Sequence, residues 1–474
     1  MLTHKKHINW PVLGICAILV SGCAGGEYIN PDSPEYTRFI ERQIIQAQDN
    51  SELNIYQISL DDAIELGLQQ NLDLRLAALE TMAAGDNVSL EKLQAFPTVQ
   101  AKANYIGRSN EGASSSRSVS TGTESLEPSI STEPHRRTME LETSWNLLDV
   151  ALTVFRSKTA SDREKIAALQ QQKVAQDLTR DIIIAYYRAL TAQENLDEIQ
   201  TLRSRANQHL KNIQIALDDR LISGQDALQK QENVLNGLNK LSSITKDLTQ
   251  ADLELKQLLN LSPDTQLKLI SSKRITNLKR QLPVSDEISK LEQYALLHRP
   301  ELQEQVLNKN IALRNKRLAI IETFPGAELL YTYNYDSNKF LEEERWFSTT
   351  TSLVQSITQI FTLPVRYKAA QTQEEIEGER IKSLTAIIMA QINISKRLVD
   401  LEEENYKLFE HQNSITSQKT KIAQIMSEDG IGTHDDYMSS SLDAQISKIE
   451  KDMAYVELQS AYARLLNALG TTLL

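Results

Sequence analysis

The sequence contains no apolar run long enough to cross a bilayer as a helix. Its longest mostly apolar stretch, Trp10 to Val20, is 11 residues, against the ~20 a spanning helix needs. Cysteine is almost absent: Cys16 and Cys23 are the only two, and Cys16 lies inside what reads as a signal peptide. The mature chain therefore keeps one thiol and can close no disulfide within itself. With 16 glycines, 11 prolines and 5% aromatic residues in 474 positions, turn-rich architecture is disfavoured, while abundant Leu, Ala, Gln, Glu and Lys suit long helices. A net charge of -12 without any basic block excludes nucleic acid as a partner. Catalytic signatures are missing too. There is no GxSxG, no phosphate-cradling GxxxxGK[ST] and no HExxH. Gly430 to Asp435 opens like a dinucleotide loop but lacks the third glycine and a preceding strand. The histidines are scattered, so no metal site and no enzyme is expected, and no cofactor beyond a covalent lipid.

That lipid is expected on Cys23. Lys5, Lys6 and His7 precede the apolar stretch, and Val20-Ser21-Gly22-Cys23 resembles the lipobox of bacterial lipoproteins, where cleavage makes the cysteine an acylated N-terminus carrying palmitate. The plainer alternative is an ordinary signal peptide with an incidental cysteine. Ala24 follows, and the absence of an aspartate there favours sorting to the outer membrane.

The chain is written twice. Asn71-Leu72-Asp73-Leu74 has a counterpart in Arg299-Pro300-Glu301-Leu302, and Phe96-Pro97 has one in Phe324-Pro325 at the same offset. Further on, RSKTA from Arg156 matches RYKAA from Arg366, Ser223-Gly224 matches Ile431-Gly432, and Leu261-Ser262 matches Leu469-Gly470. The offset changes mainly between Pro97 and Arg156, where residues 107–137 are rich in Ser, Thr, Gly and Glu and read as a long solvated loop. The expected order is a signal peptide (1–22), a lipidated extension (23–58), a first repeat (59–270) with a hairpin at about 98–148, a linker (271–284), and a second repeat (285–474) with a hairpin at about 326–357.

Between Arg366 and Met426 there is no proline, and Ile387, Ile394, Leu401, Leu408, Ile415 and Ile422 recur at every seventh residue. Such a row reads as a coiled-coil seam. The first half repeats it through Leu196, Ile199, Ala206, Leu210, Ile213 and Leu217, with Arg203 interrupting. Each long helix should run about 60 residues, roughly 90 Å. Shorter helices at about 73–95, 225–260, 301–323 and 433–468 should stack end to end beside them. A companion row that is partly polar, Gln391, Asn405, Gln412 and Lys419, suggests that one side of each helix faces water. Periodicity alone also fits a periplasmic rod with a dry seam.

The hairpins discriminate. Met139, Leu141, Trp145 and Leu147 alternate with Glu140, Glu142, Ser144 and Asn146; Ala327, Leu329, Tyr331, Tyr333 and Tyr335 share one face; Val99, Ala101, Ala103 and Tyr105 do the same, and 346–356 less clearly. Segments of this length and alternation cross a bilayer as tilted strands. Four strands cannot close a barrel, and an open edge in hydrocarbon leaves unpaired backbone groups costing several kcal/mol each. Copies must complete it: two would give eight strands with a filled interior, three would give twelve with room for a lumen.

With Leu60-Asp61-Asp62-Ala63-Ile64, Asn71 to Leu74, Phe96-Pro97, Trp145-Asn146-Leu147-Leu148-Asp149 and the closing Leu-Leu-Asn-Ala-Leu-Gly of 465–470, the chain resembles the TolC-like outer-membrane efflux factor family. The resemblance implies a mainly α chain with a membrane β-barrel portion: a homotrimer whose 12-stranded barrel continues as a helical periplasmic tunnel. It further implies passive conduction of substrates delivered by an inner-membrane pump of RND or ABC type through a periplasmic adaptor. A type I protein secretion duct shares that architecture, and a lipid-anchored structural coiled-coil protein is a remoter alternative. The family narrows its tunnel at the periplasmic tips, often with acidic side chains. Here the tips fall near 221–226 and 428–436, which makes Asp435 and Asp436 the candidates for the constriction, with Asp226 from the first repeat behind them. The same acids at helix N-termini could simply cap them. Gly224, Gly430 and Gly432 are the expected turn glycines. The run Glu402-Glu403-Glu404 reads as a solvated helix face.

Overall fold

The computed structural model describes residues 31–49, 56–125, 127–270 and 278–471. Cys23, the expected signal peptide and most of the expected linker lie outside them. A helix α1 (Pro34–Asp49) precedes two copies of one plan. The first is α2 (Leu60–Gln70), α3 (Leu72–Leu93), strand β2 (Thr98–Gly107), strand β5 (His135–Asn146), α4 (Leu147–Asp218) and α5 (Gly224–Leu258). The second is α6 (Ile288–His298), α7 (Pro300–Ile321), β7 (Gly326–Asp336), β8 (Arg345–Val354), α8 (Ile357–Glu428) and α9 (His434–Ala468). The duplication extends to length, since corresponding helices have 11, 22, 72 and 35 residues in both copies.

The two halves start their second helices by different chemistry. Asn71 caps α3, its Oδ1 accepting from the amides of Asp73 and Leu74 at 3.0 and 3.1 Å, whereas α7 begins with Pro300 and has no side-chain cap. Proline suits that place because the first helical N–H has no partner anyway. Asn71 Nδ2 also donates to the Leu258 carbonyl at the end of α5 (3.1 Å). Equivalently, Gly470 after α9 sits so close to Arg299 that a Cβ there would lie 3.2 Å from the Arg299 Cα, and its φ of +74° is one glycine tolerates. Short helices are thus stacked end to end, α5 then α3 along α4, and α9 then α7 along α8.

The long helices exceed expectation at 72 residues each, about 108 Å. The helix α4 starts directly from β5 and α8 two residues after β8, and α8 runs through Pro364 in its early turns, where the ring removes only one backbone bond. The halves meet where α4 packs on α7 and α9. One core lies where Ile182, Ile183 and Tyr186 of α4 meet Val456, Ala461 and Leu465 of α9, with Leu255 and Leu259. There a two-stranded parallel piece, β1 (Tyr56–Ile58) with β6 (Leu267–Leu269), is held by the Tyr186 hydroxyl, which donates toward the Ile58 and Ile270 carbonyls at 3.0 and 2.5 Å. Burial pushes the Tyr186 hydroxyl up to about 12. A second core along α4, α5 and α9 joins Ile199, Ala206 and Ile213 to Val234, Leu241 and Ile446.

The sevenfold rows separate here. The first-half row is buried: Ile199, Ala206 and Ile213 are at most 1% exposed. The second-half row is not, and Ile387, Ile394, Leu401, Leu408, Ile415 and Ile422 are 49–66% exposed. Within the chain α8 buries Ile388, Ile392 and Val399 instead, which stand one residue after or two before members of that row and so point roughly 100–160° away from it. The apolar row is therefore no seam inside this chain.

Candidate conducting path and periplasmic tip

The four long strands form one antiparallel sheet in the order β2-β5-β7-β8. Register places Val99, Ala101, Ala103 and Tyr105 beside Thr143, Leu141, Met139 and Arg137, and these beside Tyr331, Tyr333 and Tyr335, with Thr349, Phe347 and Arg345 beyond. The other face carries Lys102, Thr138, Glu140, Glu142, Thr332, Asn334 and Ser348. Coverage is inverted relative to a soluble sheet: Met139, Leu141, Leu353 and Phe347 are exposed, while Thr332 and Asp336 are only 5% and 7% exposed. A sheet curled with its polar side inward and its apolar side outward suits lipid outside and water within. On the polar side Lys102 pairs with Glu142 at 2.5 Å and Arg136 with Asp336 at 2.8 Å. Strands β2 and β8 end the sheet with unpaired edges.

At the loop end, the 107–137 segment is more ordered than its composition suggests, forming the short pair β3 (Ala113–Ser114) and β4 (Ser129–Ile130). Asn338 fastens it to the shorter loop: its side chain accepts from the Glu133 amide (3.1 Å) and donates to the Ser131 carbonyl (3.0 Å). No helix among the described residues is long and apolar enough to cross a membrane.

At the opposite end the helices turn. The two turns are built alike, with Ser223 capping α5 and Thr433 capping α9. Ser223 Oγ donates to Asp226 (2.7 Å) and accepts from its amide (3.1 Å); Thr433 Oγ1 does the same with Asp436 at 2.6 and 3.1 Å. The Thr433 hydrogen bond, assisted by Lys230, holds the Asp436 carboxyl below the usual carboxylate range. Asp435 instead lies between the halves, with Lys230 of α5 at 3.3 Å and His209 Nδ1 of α4 at 3.2 Å. His209 is 5% exposed and borders a cavity of about 260 Å³ with Arg205, Tyr437 and Gln445.

The sequence singled out the acids but not His209 or Lys230. Lys230 gives no pattern at all, whereas His209 directly precedes Leu210 of the apolar row and could have been noticed. Of the glycines, Gly430 adopts φ +72°, and Gly432 approaches Met426 so closely that a Cβ would lie 3.1 Å from its Cβ. Gly224 opens α5 in open space, and Arg220 (φ 60°) takes the left-handed position in the first turn. Among the described residues no group of His, Cys, Asp and Glu could hold a metal ion.

The family model for outer membrane efflux proteins matches residues 63–261. Among solved structures, the outer-membrane channel OprN superposes with a TM-score of 0.68 at 16% identity, covering 87% of this chain and 89% of its own. CusC, described as forming a transmembrane channel, gives 0.67 at 14% over 89% and 96%. The open MtrE outer membrane channel of Neisseria gonorrhoeae gives 0.64 at 17% over 87% and 88%. No curated protein sequence matches the chain. The helical and sheet class expected from the sequence is that of these channels, and the match over residues 63–261 agrees with the resemblance read there.

Proposed function

We infer that this chain is an outer membrane efflux protein and one of three identical subunits of a water-filled exit duct. The observation that carries the reading is an unequal pair of long helices. In the first half, the α4 face bearing Lys173 and Glu198 meets the second half: Lys173 pairs with Glu301 of α7 (2.7 Å) and Glu198 with Lys448 of α9 (2.8 Å). The equivalent face of α8 carries the row from Ile387 to Ile422, and inside the chain it meets nothing comparable. Its pseudo-symmetric partners are short helices of the first half, and α3 and α5 expose Leu76, Leu79, Leu90, Leu228 and Leu235. Those must come from a second copy, through a head-to-tail contact that closes only as a ring. Three copies supply twelve strands, pair every β2 with a neighbour's β8, and leave a lumen.

The duct conducts passively whatever a pump of RND or ABC type delivers through an adaptor, as a tripartite efflux system. The efflux family match supports this over protein secretion, and an exposed sheet with an apolar outside argues against a soluble rod. We place the adaptor contact and the constriction at the tips, where Asp226, Asp435 and Asp436 of three copies converge, with Gly224, Gly430 and Gly432 shaping the turns; the lipid on Cys23 is a second anchor. Purified protein reconstituted into planar bilayers should show stepwise conductance and migrate as a heat-dissociable trimer. A monomer without conductance at any concentration overturns the reading.

A further inference from the structure

The outward face of the sheet has charge at one end only. From the helix end upward it carries apolar, aromatic and threonine side chains, and no carboxylate stands on it. At the loop end it carries Arg137 on β5 and Arg345 on β8, with His135 above. Neither guanidinium has an ion pair among the described residues, although both cations of the inward face, Lys102 and Arg136, are paired. Both arginines have aromatic company. The Arg345 guanidinium lies 5.7 Å from the Tyr335 ring centroid, and Tyr105, opposite Arg137, stacks on His135 with its hydroxyl 3.2 Å from Nδ1.

We propose that Arg137 and Arg345, flanked by Tyr105 and Tyr335, bind the phosphate groups of an anionic lipid in the outer leaflet; the proposal rests on the channel reading. That reading orients the sheet, with helices toward the periplasm and loops outward. Eight residues separate Trp145 from Arg137, about 20 Å along the membrane normal for a tilted strand, which sets the arginines at the outer border of the apolar band. Two strand spacings separate β5 from β8, about 10 Å, so one lipid carrying two phosphates, or two neighbouring lipids, can engage both. An arginine facing hydrocarbon is costly without an anion or water, and guanidinium with phosphate makes paired, charge-assisted hydrogen bonds. Aromatic rings at that depth hold the headgroup level. Free phosphate lacks the acyl chains that the apolar face beneath would hold, so the lipid is the assigned ligand.

The test uses full-length protein in detergent, titrated with purified lipopolysaccharide, with phosphatidylcholine, or with inorganic phosphate, and reads the temperature at which trimers dissociate on a gel. Lipopolysaccharide should raise it for the native protein, and R137Q/R345Q should lose at least about half of that rise while still forming trimers in the cold. R137K/R345K, which keeps the charge, should retain most of it, and if the double Gln variant does not assemble, the single variants R137Q and R345Q replace it, each expected to lose part of the rise. An equal rise in native and variant proteins, no rise with lipopolysaccharide, or a rise of the same size with inorganic phosphate overturns the proposal. Native protein that is monomeric in the cold overturns the channel reading itself, an outcome visible before any lipid is added.

Discussion

Glu301 shows what one residue does at the junction of the halves. Burial alone would raise its carboxyl, but hydrogen bonds from Arg299 and Lys173 outweigh that and hold it at about 2. A carboxyl depressed in the folded state contributes stability that is fully present above its ordinary value of 4.5, and that contribution fades as pH falls from there toward about 2. Chemical unfolding followed between pH 6 and 3 should therefore show a loss in the native protein that E301Q does not share, with E301Q itself weaker by about 1–3 kcal/mol at neutral pH. At the same scale, the tip acids were legible as residues but not as roles. Asp226 and Asp436 stand three positions after the capping Ser223 and Thr433 and accept from their hydroxyls. Asp435, one residue earlier, faces His209 and Lys230 across the halves, and no local spacing could have paired residues more than 200 positions apart.

Strands and long helices answer to different environments. Alternation in β5 and β7 was readable because a strand with lipid on one side and water on the other repeats every two residues. Leu141→Arg, at the centre of the outward face, should cost about 2–4 kcal/mol of membrane stability, whereas Thr138→Arg on the inward face should cost little; urea unfolding from phosphatidylcholine vesicles compares them. In the helices the sevenfold row was readable and its partner was not. The period names a stripe, and only packing shows that α8 turns Ile388, Ile392 and Val399 toward α9 while Leu401 and Leu408 remain uncovered. Leu401→Asp with Leu408→Asp should leave the folded chain intact by circular dichroism and abolish trimers on an unheated gel.

Taken whole, the molecule is half of each of its own interfaces. Its sheet has two open edges and its second long helix has an open face, so a single copy is incomplete in the same sense at both ends. The inward face carries Glu140, Glu142, Glu328 and Asp336 against Lys102 and Arg136, and both cations are already paired. In the proposed trimer that surplus is repeated around one axis, where carboxylates enrich cations. The reversal potential across a KCl gradient should report preference for potassium, and E140Q/E328Q should reduce the potassium-to-chloride permeability ratio by roughly twofold or more.

Much of this chain follows from its sequence alone. The duplication, the helix lengths to within a dozen residues and the four strands are all written in periodicity and composition, because each shows in residues near in sequence. What the tertiary structure decided is which face of each element is used up within the chain and which is left over. That is a matter of three-dimensional packing between helices from opposite halves, and repeated sequence cannot reveal it: the α4 face bearing Lys173 and Glu198 meets α7 and α9, whereas the equivalent α8 face, with Ile387 to Ile422, stays exposed among the described residues.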